Sequence, residues 1–327
     1  MRALRNFSTG LAVWVAFLTS AFAQAPAVFP SKPIRLITLT SAGGALDLLA
    51  RTLAQRLTEQ MGQPVVVENR TGAGGNIGAD VVAKAAPDGY TIGMCTASTH
   101  GINPSLYGAK MPFDAIRDFA PITIAAQMSN IVVVNPSLPV ANVAELVAYA
   151  RANPGKLSFG SAGSGTTQHL SGELFNMVAG VNMIHVPYRG AAAAVPDLIS
   201  GQLQLMFVSI ADGITHVRAG KLRAIAVTSA KRAGALPELA TIAEQGYPSF
   251  NVSVWFGLVA PAQTPRDIVN RYNREIATAL AQPEVKERLS KLGMDLGTMS
   301  PEQFAGFIRE EIDKWSKVVK ASGARVD

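Results

Sequence analysis

From Pro33 onward, apolar and polar positions alternate between two periods. Residues 34–40 read as a strand. Leu46, Leu49, Leu53 and Leu57 then recur at three- and four-residue spacing, which predicts a helix over Ala45–Met61 with Gly62 as its stop. Residues 65–68 form a second strand. Residues 76–86 form a second helix, closed by Pro87-Asp88-Gly89, and residues 90–96 a third strand. This β-α-β-α-β order predicts a parallel sheet with right-handed crossovers.

Residues 97–120 are less regular, with a short helix or loop near 103–107. Residues 121–126 and 130–135 read as two strands, and there the chain crosses into a second domain. The same grammar then repeats. Helices are predicted over Val143–Ala152, 168–179, Ala191–Ser200 and 212–219, and strands over 157–160, 183–186, 203–208 and 222–228. Residues 251–259, rich in β-branched and aromatic side chains, read as the return crossing. Helices follow at 265–281, 283–292 and 301–320. The last starts on the capping box Ser300-Pro301-Glu302-Gln303 and buries Phe304, Phe307, Ile308, Ile312 and Trp315.

The pattern predicts an α/β protein of two lobes joined by two crossings, with a ligand cleft between them. Residues 24–125 plus 251–327 make the first lobe and 126–250 the second. Ligands of parallel sheets sit beyond the carboxyl ends of the strands. Three small-residue turns fall there: Ser41-Ala42-Gly43-Gly44, Thr71-Gly72-Ala73-Gly74-Gly75-Asn76, and residues 161–167. Each opens a helix. Helix N-termini carry unpaired N–H groups and partial positive charge, so they suit anions. The first two turns read as one pincer for a carboxylate and the third as the opposing jaw.

The N-terminus changes the expected compartment. Arg2 and Arg5 precede an apolar run over residues 11–18, and Ala21-Phe22-Ala23 offers small residues at cleavage-type positions. This predicts a secretory signal peptide over residues 1–23, cut after Ala23, and a periplasmic protein. The run is too short to span a membrane. Hydrophobic residues make up 48% and charged residues 16%, which suits a globular chain rather than a disordered one. The formal charge is +6, of which Arg2 and Arg5 supply two. Basic residues are scattered without interleaved aromatics, so nucleic acid is not an expected partner. Cys95, the single cysteine, sits in an apolar strand and reads as a buried, inert thiol. His100, His169, His185 and His216 lack metal-ligand spacing, and neither a metal nor a cofactor is expected.

Seven segments, in order, resemble the Bug family of periplasmic solute-binding proteins, the receptors of tripartite tricarboxylate transporters. They are Pro30-Ser31-Lys32-Pro33-Ile34-Arg35, Ala42-Gly43-Gly44 with Asp47, Val67-Glu68-Asn69-Arg70-Thr71-Gly72-Ala73-Gly74-Gly75, Ala86-Pro87-Asp88-Gly89-Tyr90-Thr91, His185-Val186-Pro187-Tyr188-Arg189-Gly190, Gly220-Lys221-Leu222-Arg223-Ala224 and Trp255-Phe256-Gly257-Leu258-Val259-Ala260-Pro261. The resemblance implies a type II Venus-flytrap fold, a small organic carboxylate in the cleft and an inner-membrane permease as partner. It also implies a monomer that is not itself membrane-embedded and performs no catalysis. The chain departs from the family pattern at Thr40-Ser41, where a Pro-Phe pair is common, at Ala193, where Pro is common, and at Val208, where Asp is common. Loss of an acid at Val208 shades the ligand towards a carboxylate without an ammonium group, although Asp47 remains available for one.

The candidate ligand contacts are Ala42, Gly43, Gly44, Gly74 and Gly75 in the first-lobe turns, with Ser98 after the third strand. Asp47 and Asn76 are candidates for ligand contact or for helix capping. Ser161, Ser164, Thr166 and Thr167 supply hydroxyls at the third turn, some of which must cap its helix. His169, Arg189 and Val208 complete the set. Two enzyme readings compete. A secreted α/β hydrolase needs Gly-x-Ser-x-Gly, and Phe159 and Ala162 stand where Ser161 and Ser164 would need the first glycine. A dinucleotide enzyme needs Gly-x-Gly-x-x-Gly, whereas Gly72, Gly74 and Gly78 are spaced one position too long.

Overall fold

A computed structural model describes residues 29–188 and 190–325. The expected signal peptide and Arg189 lie outside these residues. The first strand, β1 (Ile34–Thr38), leads through the first glycine turn into helix α1 (Ala45–Met61), which Gly62 ends in a left-handed conformation. Strand β2 (Val65–Asn69), helix α2 (Asn76–Ala83) and strand β3 (Thr91–Thr96) follow. β1 pairs in parallel with both β2 and β3. After β3 a π-type turn (Ser98–Ile102) runs into the short helix α3 (Asn103–Tyr107).

The two strands expected at 121–126 and 130–135 are one, β4 (Phe119–Val134). At 16 residues it is about 50 Å long. The polar residues Gln127, Ser129 and Asn130 interrupt its apolar pattern because partners change there. From Phe119 to Ser129 it pairs with the return strand β9 (Ser253–Pro261), and from Asn130 onward with lobe-two strands. Those are β5 (Ser158–Ser161), β6 (Ile184–Pro187), β7 (Leu205–Ser209) and β8 (Arg223–Val227), with β7 and β8 directly on β4. A two-residue strand, β10 (Asp295–Leu296), was not legible in the sequence pattern and pairs with β4. The main path is β2-β1-β3-β9-β4-β7-β5-β6.

Helices α4 (Val143–Ala152), α5 (Thr167–Ala179), α6 (Ala191–Ser200) and α7 (Ile210–Arg218) cover the second region. α8 (Arg266–Ala281), α9 (Pro283–Ser290) and α10 (Pro301–Ser322) finish the chain. The core divides as the sheet does. One cluster joins Ile34, Leu49, Ile92, Trp255 and Phe304, and two others surround Val132, Phe159 and Phe207 and Ile131, Met206 and Val208. Helix α10 belongs to both sides: Phe304 and Ile308 pack on the first cluster, Trp315 and Val318 on the second. Cys95 is fully buried and desolvation pushes its thiol well above the usual range, as expected of an inert side chain.

Candidate functional site

Each strand-to-helix turn is built by a different local device. In the first, Gly44 is the N-cap of α1 and no side chain caps the helix, so its leading N–H groups stay free. Asp47, in the first helical turn, holds the loop instead. Its Oδ2 accepts from the Gly43 N–H at 2.9 Å and from Arg51 Nε at 2.9 Å, and its Oδ1 accepts from Asn69 Nδ2 at 2.8 Å. Burial opposes the charged carboxylate, but these three donors outweigh it and hold Asp47 below the usual carboxylate range. Asn69 also donates to the Thr40 carbonyl, which fastens the end of β2 to the first turn.

The second turn coils through a 3-10 segment, Ala73–Gly75, before α2, whose N-cap Gly75 again offers no side chain. Gly75 has φ 95°, and a Cβ there would lie 2.8 Å from Thr99 Cγ2, so only glycine fits. The third device follows β3. Thr96 and Thr99 bond each other's hydroxyls and backbone, which turns the chain sharply and presents Ser98.

These three turns open onto one cavity of about 300 Å³. Gly44, Ala45, Gly74 and Gly75 bring backbone to it, and Thr40, Thr96, Ser98 and Thr167 bring hydroxyls. Leu39, Leu46, Ala97, Val254 and Phe256 form its apolar wall. Thr167, the first residue of α5, comes from the second region, and Val254 and Phe256 come from the return strand. The cavity therefore lies between the lobes. A second cavity, about 290 Å³, adjoins the strand changeover and is lined by Ser129, Ser229, Trp255 and Lys314. It touches none of the glycine turns.

The jaw at residues 161–167 is held from behind by two histidines. His185 Nε2 lies 2.7 Å from Ser161 Oγ, and Ser161 Oγ is 3.1 Å from both the N–H and the carbonyl of Gly163. His169 Nδ1 accepts the Gly165 N–H at 3.0 Å. Thr166 caps α5, accepting from the His169 N–H and donating to the Gly163 carbonyl. Burial, and then the neighbouring His169, pull the His185 imidazole down to about 4.

Of the expected contacts, Gly44, Gly74, Gly75, Ser98 and Thr167 line the cavity. Ala42, Gly43 and Ser164 are exposed beside it and are not part of its lining. Six other side chains are turned elsewhere. Asp47 is 1% exposed and fully engaged with Gly43, Arg51 and Asn69, so it is not available to an ammonium group. The Asn76 amide is buried against Asn103 and Met111. Ser161 and His169 support the jaw from inside, and Thr166 spends its hydroxyl on the cap. Val208 lies in the lobe-two core because β7 continues one residue further, to Ser209, which caps α7. Ser161 is also wholly buried, so its pairing with His185 presents no hydroxyl to a substrate. Sequence reasoning missed Leu39, Thr40, Ala45, Leu46, Thr96, Ala97, Val254 and Phe256. The signal for Val254 and Phe256 was their period-two spacing in the return strand, which puts both on one face. Among the described residues, no group of three acidic, histidine or cysteine side chains could hold a metal ion. No described helix is long and apolar enough to cross a membrane.

Comparison with known proteins agrees with this geometry. Residues 49–324 match the family described as the tripartite tricarboxylate transporter family receptor. BugT of Bordetella pertussis is 36% identical over 325 residues, covering 98% of this chain and 99% of BugT. The R. palustris protein Rpa4515, solved with adipate, superposes with a TM-score of 0.76 at 38% identity, covering 91% of this chain and 99% of its own. MatC from Rhodopseudomonas palustris, solved with bound malate, gives a TM-score of 0.72 at 31% identity, covering 89% and 100%. With two lobes, a cleft of uncapped helix N-termini and a match over most of its length, this chain belongs to the tripartite tricarboxylate transporter receptor family, among the Bug proteins.

Proposed function

We propose that the protein is a periplasmic receptor that closes on a small organic carboxylate and delivers it to an inner-membrane permease of the tripartite tricarboxylate type. One observation carries this reading: α1 and α2, neither capped by a side chain, open onto the same interlobe cavity. Backbone N–H groups at two helix starts favour an anion there. The relatives solved with adipate and malate hold carboxylates, which supports the same ligand class. Gly44, Gly74, Gly75 and Ser98 form the fixed half of the site. Ser164 and Thr167 approach from the second lobe on closure. The lobes divide as residues 24–125 with 251–327 against 126–250, a division supported by the change of β4 partners at Ser129 and Asn130. The receptor acts as a monomer, exported by a signal peptide cut after Ala23.

The test is a thermal-shift and calorimetric screen of small carboxylates on the mature chain. A ligand at 100 times its dissociation constant should add about 2.7 kcal/mol of stability. Gly44→Val, at an extended φ of −75° with nothing closer than 3.8 Å, should fold and lose binding because its side chain fills the anion end of the cavity. Stabilisation by no carboxylate, together with turnover of an ester or amide, would overturn the receptor reading.

A further inference from the structure

The two residues that follow β1 sit between the two helix starts. Leu39 is buried and backs the second turn: its Cβ lies 3.4 Å from the point that a Cβ on Gly75 would occupy. Thr40 is exposed and faces the first turn: its Oγ lies 3.9 Å from the corresponding point on Gly44. That point is the open side of the α1 N-cap. The first bond inside α1 runs from the Leu48 N–H to the Gly44 carbonyl at 2.9 Å, so the N–H groups of Ala45, Leu46 and Asp47 have no helical partner. Among the described residues, the other atom within 4 Å of the same point is the Ser41 carbonyl oxygen, at 3.8 Å, which accepts and cannot donate. Thr40 is therefore the side-chain donor at this end of the cavity.

The backbone holds that donor in place. The Thr40 carbonyl accepts from Asn69 Nδ2 at 2.8 Å, the same amide donates to Asp47 Oδ1, and Asn69 Oδ1 accepts from Arg51 at 3.0 Å. Threonine is β-branched, so its hydroxyl samples few positions once the backbone is fixed. Among the described residues the Thr40 hydroxyl has no hydrogen-bond partner, whereas those of Thr96 and Thr166 are spent on Thr99 and on the Gly163 carbonyl. The hydroxyls of Ser98 and Thr167 also reach the cavity unbonded, but they enter from the β3 turn and from α5, and neither lies within 4 Å of the open side of Gly44.

We infer that Thr40 is a ligand-binding residue: its hydroxyl donates to the same carboxylate that the N-terminus of α1 holds. This rests on the receptor reading and deepens it. The clamp is then not backbone alone. A carboxylate oxygen seated against Gly44 takes N–H groups from α1 and one O–H from Thr40, and a hydrogen bond to a charged group is stronger than one between neutral groups. Because the hydroxyl is fixed before the ligand arrives, little ordering cost is set against that bond. Thr40 sets affinity for the carboxylate head and is blind to the tail.

The experiment is calorimetric titration of the mature chain and of Thr40→Val and Thr40→Ser with succinate, malate, adipate and benzoate. Valine keeps the shape and removes the hydroxyl; serine keeps the hydroxyl and removes the methyl. Thr40→Val should weaken every acid that binds the wild type by about tenfold or more, and Thr40→Ser should stay within about threefold of it. Neither variant should change the melting temperature without ligand, because the side chain is exposed and its hydroxyl is bonded to no described group. Unchanged affinity in Thr40→Val would overturn the inference while leaving the receptor reading intact. A loss confined to malate would do the same, since it would move the hydroxyl from the carboxylate to a substituent. So would a loss in Thr40→Ser as large as that in Thr40→Val. Failure of all four acids to bind the wild type would overturn both.

Discussion

The rings of His169 and His185 stack face to face, with centroids 3.7 Å apart and planes 16° from parallel. Each fixes a different part of the second-lobe jaw, His185 through Ser161 and His169 through the Gly165 N–H. Glu173 lies 3.6 Å from His169 Nε2 and is, among the described residues, the one acid paired with the stack. Two imidazoles at this distance resist carrying charge together. Burial first, and then the charge of the neighbouring His169, pull His185 from 6.5 to about 4, and burial alone pulls His100 to about 3.

The sign of the pH effect follows. Above pH 6.5 His185 and His100 are neutral in folded and unfolded chains and contribute nothing. Below it the unfolded chain takes up protons that the fold refuses, so stability falls as pH drops from 6.5 towards 4. For His185 the loss should be about 2 kcal/mol, discounted for its partial exposure. Urea unfolding at pH 7 and pH 4.5 measures it. His185→Gln should show a smaller loss across that interval, and an identical loss would remove His185 as its source.

Asp47 should matter to binding without touching the ligand. Asp47→Ala frees the Gly43 N–H and unties Asn69 from the first turn, at a cost of about 2 kcal/mol in stability. Affinity should fall as well, because the α1 entrance loses its shape. Its depressed carboxyl also contributes stability that is present above about pH 4 and disappears as pH falls through the folded value. Acid titrations of wild type and Asp47→Asn, followed by circular dichroism, should diverge most at neutral pH and converge towards strong acid.

Glu311 ties α10 to the crossing strand. Its Oε2 accepts from Trp255 Nε1 at 2.9 Å and from Trp315 Nε1 at 3.1 Å, and Lys314 pairs with the other oxygen. Glu311→Leu strands two buried indole N–H groups and should cost about 3 kcal/mol. Tryptophan fluorescence would report the loss directly, as a shifted emission maximum in the folded variant and a lower urea midpoint. Glu311→Gln retains one acceptor and should lose less.

Gly172 offers a prediction against the usual rule. Replacing glycine by alanine inside a helix normally stabilises it by about 1 kcal/mol. In α5 a Cβ at this position would lie 2.2 Å from Phe159 Cε2, inside a ring that is itself fully buried. Gly172→Ala should therefore destabilise the protein, by about 2 kcal/mol. Pairing it with Phe159→Leu should recover part of the loss, and thermal denaturation of the three variants would measure the coupling.

Much of the fold was legible because hydrophobic periods survive in the chain. The helices Ala45–Met61, Val143–Ala152 and Ala191–Ser200 have the bounds their spacing predicts. The long strand β4 was not legible as one element. Its centre is polar where it changes partners, and a polar break inside a strand looks like a loop when no partner is visible. β10 was missed because two residues carry no period. The dual allegiance of α10 was likewise hidden. Trp315 and Phe304 lie on one apolar stripe, and nothing local says that the stripe meets two different cores.

By itself the sequence determined that glycine turns follow strands, that helices begin there with free N–H groups, and that an anion suits them. Those are properties of a few adjacent residues, set by backbone geometry. Only the tertiary structure decided which turn side chains remain free for a ligand. Asp47 is consumed by Asn69, Asn76 by Asn103 and Ser161 by His185, partners 22, 27 and 24 residues away in the chain. A hydrogen-bonding group has limited capacity, and whether that capacity is spent depends on what folding brings beside it. The same holds for the wall: Val254 and Phe256 become neighbours of the anion end only after the return strand β9 has paired with β3 and β4.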